Sequence, residues 1–190
     1  MKQRLRWLVV AAGAIVAGLI VATATKRRTQ ISQISTVPSV DLARYAGRWY
    51  EVARLPNEFQ EKCAGDVSAD YTIRPDGKVD VVNQCRQEDG TIRAARGVAR
   101  SADTQTNAKL EVRFAPAFLS WLPAVWGDYW VIGLDENYRW AVVGEPTRKY
   151  GWILSRTPKI AEVDWNAAVA VLQANAYNPT LFIKTIHAVR

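Results

Sequence analysis

From residue 47 onward the chain is a succession of short apolar–polar alternations, cut at near-regular intervals by turn residues. That pattern admits little besides an antiparallel β-sheet. The clearest unit spans residues 67–86. Val67, Ala69, Tyr71 and Ile73 alternate with Ser68, Asp70 and Thr72, the period of a strand with one buried face. Pro75-Asp76-Gly77 then supplies a turn, and residues 78–86 return as the second arm of a hairpin. Counting outward from the turn sets Tyr71 opposite Asn83 and Ala69 near Cys85. Further strands are expected at 48–55, 91–99, 109–114, 129–135, 138–143 and 150–156, each ended by Pro, Gly, Asn or Asp. Asp41 is a good helix N-cap, so residues 42–45 should form one turn over an end of the sheet. Residues 160–176 change period: Val163, Ala167, Val171 and Ala174, with Trp165, Ala168 and Leu172, recur at helical spacing. Asn178-Pro179 ends that helix, and residues 181–186 form a last short strand. Strands joined by short connections pair with their neighbours. Eight of them close without exposed edges. The fold expected is all-β: an eight-stranded antiparallel up-and-down barrel with a C-terminal α-helix and a short ninth strand. A barrel of that size holds one small ligand.

The beginning of the chain belongs to a different class. Residues 8–25 are almost wholly apolar or small, behind the basic Lys2-Gln3-Arg4-Leu5-Arg6. Ala22-Thr23-Ala24 offers a cleavage site for a secretory signal. The run is also long enough to span a bilayer, and Lys26-Arg27-Arg28 after it opposes simple export. Residues 1–25 are therefore either a signal peptide or an N-terminal membrane anchor, 26–40 a polar linker, and 41–190 the folded domain. Both alternatives deliver the domain across the inner membrane of a bacterium-like cell, into the periplasm or cell envelope. The formal charge of +7 could suggest nucleic acid, but six cations (Lys2, Arg4, Arg6, Lys26, Arg27, Arg28) flank the apolar run with no acid among them. The domain itself is nearly neutral, and nucleic acid is discounted. Cys63 and Cys85 are the two cysteines, an even pair that suggests one disulfide in an exported protein. They fit no short zinc spacing, and His187 is the lone histidine, so no metal or other cofactor is expected.

Three stretches carry a family resemblance. Gly47-Arg48-Trp49-Tyr50 resembles the first lipocalin motif, and Trp152-Ile153-Leu154-Ser155-Arg156-Thr157-Pro158 the third. Tyr129-Trp130-Val131-Ile132-Gly133-Leu134-Asp135 with Tyr138 stands in place of the second, as a looser match. The resemblance runs from about residue 40 to 187 and is nearest to bacterial lipocalins and apolipoprotein D. It implies a calyx for small hydrophobic ligands, with Arg156 packed across Trp49, and a disulfide like that of some bacterial relatives. One departure stands out: no cysteine follows the leader to take a lipid anchor, which argues against a lipid-anchored outer-membrane form.

Gly47, Trp49 and Arg156 are read as a structural closed end, since a guanidinium on an indole face is worth about 0.5–2 kcal/mol. Alternation nominates cavity residues: Val67, Ala69, Tyr71, Val81 and Asn83 from the hairpin, Leu110, Val112 and Phe114 beside them, then Trp130, Ile132, Tyr138, Trp140, Trp152 and Leu154. Of these, Tyr71, Asn83 and Trp152 are similar to pocket positions of apolipoprotein D-like proteins. An apolar cup with few polar groups suits an amphiphile such as a fatty acid or lysophospholipid, carried or stored in support of membrane lipid maintenance. The alternative is a membrane-tethered scaffold with a ligand-free barrel. Residues 115–126 form an apolar loop, and Phe118, Leu119, Trp121, Leu122 and Trp126 would meet a membrane surface, a second copy of the chain in a homodimer, or the barrel's own mouth. No Gly-x-Ser-x-Gly elbow or phosphate loop is present, so an enzyme is not expected.

Overall fold

The computed structural model describes residues 33–188. The expected signal or anchor, 1–25, and the first part of the linker lie outside the described residues. A single helical turn, α1 (Leu42–Tyr45), leads into β1 (Gly47–Arg54), β2 (Gly65–Ile73), β3 (Val79–Arg86), β4 (Ile92–Ser101), β5 (Lys109–Arg113), β6 (Gly127–Leu134), β7 (Trp140–Gly144) and β8 (Gly151–Ser155). Helix α2 (Glu162–Ala174) and a two-residue strand, β9 (Ile183–Lys184), complete the domain. Each strand pairs antiparallel with the next, and β1 pairs with both β8 and β2, so the sheet closes into the expected eight-stranded barrel. β9 adds to the outer flank of β1 through Ala53 and Arg54. Asp41 caps α1 as its residue type predicts, accepting from the Ala43 and Arg44 amides at 2.8 and 3.2 Å.

The hairpin register differs from the sequence expectation. Tyr71 lies opposite Val81 and Ala69 opposite Asn83. The turn centres on Asp76, with Arg74 N bonded to Lys78 O at 2.8 Å and Gly77 in the left-handed region at φ +79°. The displacement is two residues, so every side chain keeps its face. Cys63 and Cys85 form the disulfide, with Cα atoms 5.6 Å apart. It ties the β1–β2 loop to the end of β3 and is worth about 3 kcal/mol by loop closure.

The apolar interior has two parts. Inside the barrel, Trp49, Val131, Ala141, Val143 and Leu154 pack with Val40, Tyr45 and Ala108 at one end. Outside it, Ala168 and Leu172 of α2 cover Val52, Ala53, Ile132, Trp140, Val142 and Ile153. Gly133 lets the helix approach, for a Cβ there would stand 2.7 Å from Val171 Cγ1. Val163, part of the expected helical stripe, faces solvent at 71% exposure. The described end of the expected linker is not a loose tether: Ile34 and Val40 are buried, and Ser35 N, Val37 N and Val40 N bond to Asn175 Oδ1, Val131 O and Thr106 O at 2.8, 3.0 and 2.7 Å. Ile34, Val37 and Val40 recur at every third residue, the period of neither a strand nor an α-helix, so the pattern does not mark them as packed.

Candidate functional site

The barrel encloses a cavity of about 880 Å³. Its floor lies at the end where β1 begins. Gly47 opens that strand at φ +88°, a conformation that favours glycine. Trp49 is fully buried and donates from Nε1 to Tyr45 O at 2.8 Å. Arg156 covers its ring, with Cζ 3.9 Å from the centroid. The guanidinium donates to Arg44 O at 2.6 Å, Arg48 O at 2.8 Å and Tyr138 O at 3.3 Å. Those bonds staple α1, β1 and the β6–β7 turn together. Burial pulls the Arg156 pKa below the ordinary arginine value, because its donors meet carbonyls and rings rather than water. None of Gly47, Trp49 and Arg156 lines the cavity; they stand beneath it.

Ten of the expected cavity residues lie on the wall. From β2 and β3 these are Val67, Ala69, Tyr71, Val81 and Asn83. Leu110, Val112 and Phe114 continue the wall at β5, and Trp152 and Leu154 close it at β8. Four others do not belong there. Ile132 and Trp140 point outward into the layer under α2, and Trp130 packs against the same layer with Lys109 Nζ 4.4 Å above its ring. Tyr138 sits in the closed-end turn, stacked on Arg44 at 4.1 Å and accepting from Asp41 N at 2.9 Å. Tyr138 fails because it belongs to the turn before β7 and not to the strand; for Trp130, Ile132 and Trp140 the source is different. β6 and β7 are covered on both faces, by the barrel interior and by α2, so both parities are apolar and alternation cannot choose between them. The inward residues of those strands are Tyr129, Val131, Ala141 and Val143.

Sequence reasoning passed over two groups that shape the cavity. Tyr45, Tyr71 and Tyr129 meet at its floor, their hydroxyls 2.9 and 3.0 Å apart with Tyr129 in the middle. Desolvation raises all three pKa values, that of Tyr71 to about 12, so the phenols stay neutral. The Asp41 cap signal placed Tyr45 over an end of the sheet and could have exposed it. The second group is at the mouth. Arg93, across from Cys85 on the neighbouring strand, is the one basic residue among the described lining residues. Trp152 Nε1 donates to Gln60 Oε1 at 3.2 Å, which pins the β1–β2 loop to the wall. Glu145 is buried in the β7–β8 loop. Burial pushes its pKa up, but donation from Thr147 Oγ1 at 2.8 Å and from the amides of Thr147 and Tyr150 at 2.7 and 3.1 Å outweighs this and holds the carboxyl below its usual value.

In the apolar loop, Phe118 and Trp121 are 75% and 76% exposed, while Leu119 and Leu122 are half-buried. Trp126 is not a free surface group. Arg100 and Arg113 lie over its ring at 4.0 and 5.3 Å, and its Nε1 donates to Ser120 O at 2.8 Å. It lines the cavity instead. Connections alternate between barrel ends, so Phe59, Ile92 and Phe114 share the mouth with Phe118 and Trp121, and all five are exposed.

Residues 40–187 match the family model described as a lipocalin-like domain. The chain is similar to temperature-induced lipocalin-1 of Arabidopsis thaliana, 38% identical over 83% of this chain and 84% of that one. It is also similar to outer membrane lipoprotein Blc of Escherichia coli K12, 36% identical over 94% of this chain and 96% of that one. Among solved structures, insecticyanin of the tobacco hornworm Manduca sexta superposes with a TM-score of 0.64 at 21% identity, covering 82% of this chain and 85% of that one.

Proposed function

The chain belongs to the lipocalin family, and from that premise we propose that its cavity binds and carries or stores a single-chain lipid, a fatty acid or a lysophospholipid, in the cell envelope. Lipocalins bind small hydrophobic ligands and are generally not enzymes. The observation that carries the finer reading is the make-up of this cavity: a largely apolar tube of about 880 Å³ with one basic side chain, Arg93, at its open end, while its four carboxylates, Glu51, Glu58, Asp128 and Glu145, are each engaged by a donor of the protein, from Arg54, Tyr150, Trp130 and Thr147 in turn. The volume lies within the range of small-molecule sites. A long acyl chain fills the tube while its carboxylate or phosphate stays near Arg93 and solvent. The export expected from the leader, and the envelope location in the name of the Blc relative, support service to a bacterial membrane.

Ala95 tests the tube directly. It lines the wall yet is exposed, so it can accept a large side chain without disturbing the core. Ala95→Trp should weaken fatty-acid binding about 10- to 50-fold, the worth of two or three displaced methylenes at roughly 0.8 kcal/mol each. Titration of a fluorescent fatty acid reads this, and unchanged affinity in the folded variant would place the ligand elsewhere.

The exposed rim of Phe59, Ile92, Phe114, Phe118 and Trp121 supports contact with a membrane surface during loading, with a second copy of the chain as the competing occupant. Phe118→Ser/Trp121→Ser should weaken vesicle binding, read by flotation, about 30-fold, since each exposed aromatic contributes roughly 1 kcal/mol on burial. Equal flotation, with a loss of dimer in sedimentation, would assign the rim to the homodimer.

A further inference from the structure

The three tyrosines on the cavity floor come from three separate elements: Tyr45 from α1, Tyr71 from β2 and Tyr129 from β6. Among the described residues their hydroxyls bond only to one another, Tyr45 to Tyr129 at 2.9 Å and Tyr71 to Tyr129 at 3.0 Å. Three hydroxyls carry three O–H donors, and two contacts consume two of them. Whichever way the chain of bonds runs, one donor and several lone pairs are left over. All three line the cavity; Tyr45 is the most deeply buried, while Tyr71 and Tyr129 are half-buried and keep more accessible surface. The rest of the floor is apolar, with Leu42, Ala46, Val79 and Leu154 around them.

The floor is also suited to a neutral partner rather than a charged one. Arg156 lies behind Trp49 and biases the floor toward an acceptor, but it does not line the cavity, and its Nε and both Nη atoms donate to the carbonyls of Tyr138, Arg48 and Arg44. A carboxylate placed there would have phenol donors alone and no free cation. A methyl end placed there leaves a buried O–H without a partner, which costs affinity.

Resting on the lipid-carrier reading, we propose that the Tyr45–Tyr129–Tyr71 floor recognises a neutral oxygen, a hydroxyl or ketone, at the leading end of an elongated apolar ligand. The preferred ligand is then polar at both ends: an anionic or zwitterionic head at Arg93 and an oxygen at the far terminus of the chain. Arg93 near the mouth and Ala99 deep in the barrel both line the cavity and are six residues apart on β4, about 20 Å along the strand. A long-chain fatty acid spans that length. ω-Oxygenated fatty acids are the simplest class with this shape.

Two isomers separate the idea from plain chain binding. 16-Hydroxyhexadecanoic acid puts its oxygen on the floor, whereas 12-hydroxyhexadecanoic acid leaves it short of the floor against the wall. Calorimetric titration of the purified full-length protein should show the terminal isomer binding about tenfold tighter, the factor expected when one isomer satisfies a buried donor and the other buries a second unpaired group. Tyr71→Phe/Tyr129→Phe removes the hydroxyls of the two more accessible floor tyrosines, with them both bonds of the triad, and should erase that preference while hexadecanoic acid still binds. If the double variant does not fold, the isomer comparison on the native protein decides alone. Equal affinities, or tighter binding of the 12-hydroxy isomer, would overturn the inference while leaving the carrier reading intact. Failure of all three acids to bind would overturn both.

Discussion

Trp49→Ala is expected to lower the unfolding free energy by about 3–5 kcal/mol, the range for truncating a large buried aromatic. Trp49 is fully buried, anchors Tyr45 through its indole N–H, and is the platform on which Arg156 rests. Without the ring, Arg156 loses its stacking partner and the closed end loses its filling. The cavity wall stands above this layer, so fatty-acid affinity in the folded fraction should stay within about threefold, because no lining contact is removed. Urea denaturation reads the stability and ligand titration of the surviving folded protein reads the affinity. A collapse of binding with little loss of stability would put the ligand at the opposite end of the barrel.

Alkaline pH should destabilise the protein sharply. Desolvation holds the Tyr45, Tyr71 and Tyr129 phenols neutral in the folded state, with the Tyr71 value raised to about 12 and the other two also raised above the ordinary tyrosine value. In the unfolded chain a tyrosine ionises near pH 10. Between these values the unfolded state binds fewer protons than the folded one, so stability is complete below about pH 10 and falls as pH rises toward the folded values. Each tyrosine contributes a slope of about 1.4 kcal/mol per pH unit; Tyr177, whose burial likewise raises it to about 12, adds a fourth, and the four together contribute about 5–6. Urea midpoints measured between pH 9 and 11.5 should drop accordingly, and Tyr71→Phe should remove about a quarter of the slope. Equal slopes in the native protein and in that variant would mean that Tyr71 titrates freely in the folded barrel.

Strand number, order and closure were legible because each hairpin carried its own turn chemistry, as at Pro75-Asp76-Gly77, and because a half-exposed strand such as β2 alternates cleanly. The same rule failed where its premise failed. Alternation nominates Trp130, Ile132 and Trp140 for the cavity, yet on strands buried from both sides both parities are apolar and alternation says nothing about direction. Trp126 was assigned to the exposed loop because its clamps, Arg100 and Arg113, come from β4 and β5 and only tertiary structure brings them to its ring. The tyrosine floor was half visible: Tyr71 was singled out, but Tyr45 and Tyr129 are 84 residues apart in sequence, and nothing local announces their contact. The pairing of Trp49 with Arg156 could be anticipated because two family motifs carry it.

The most direct measurement is native mass spectrometry of the protein purified without added lipid. The carrier account predicts one adduct per barrel, with the mass of a fatty acid or lysophospholipid, lost from Ala95→Trp and restored to stripped native protein by incubation with such lipids. Barrels that carry no adduct and take up none after incubation would contradict it and leave a scaffold built on a ligand-free barrel.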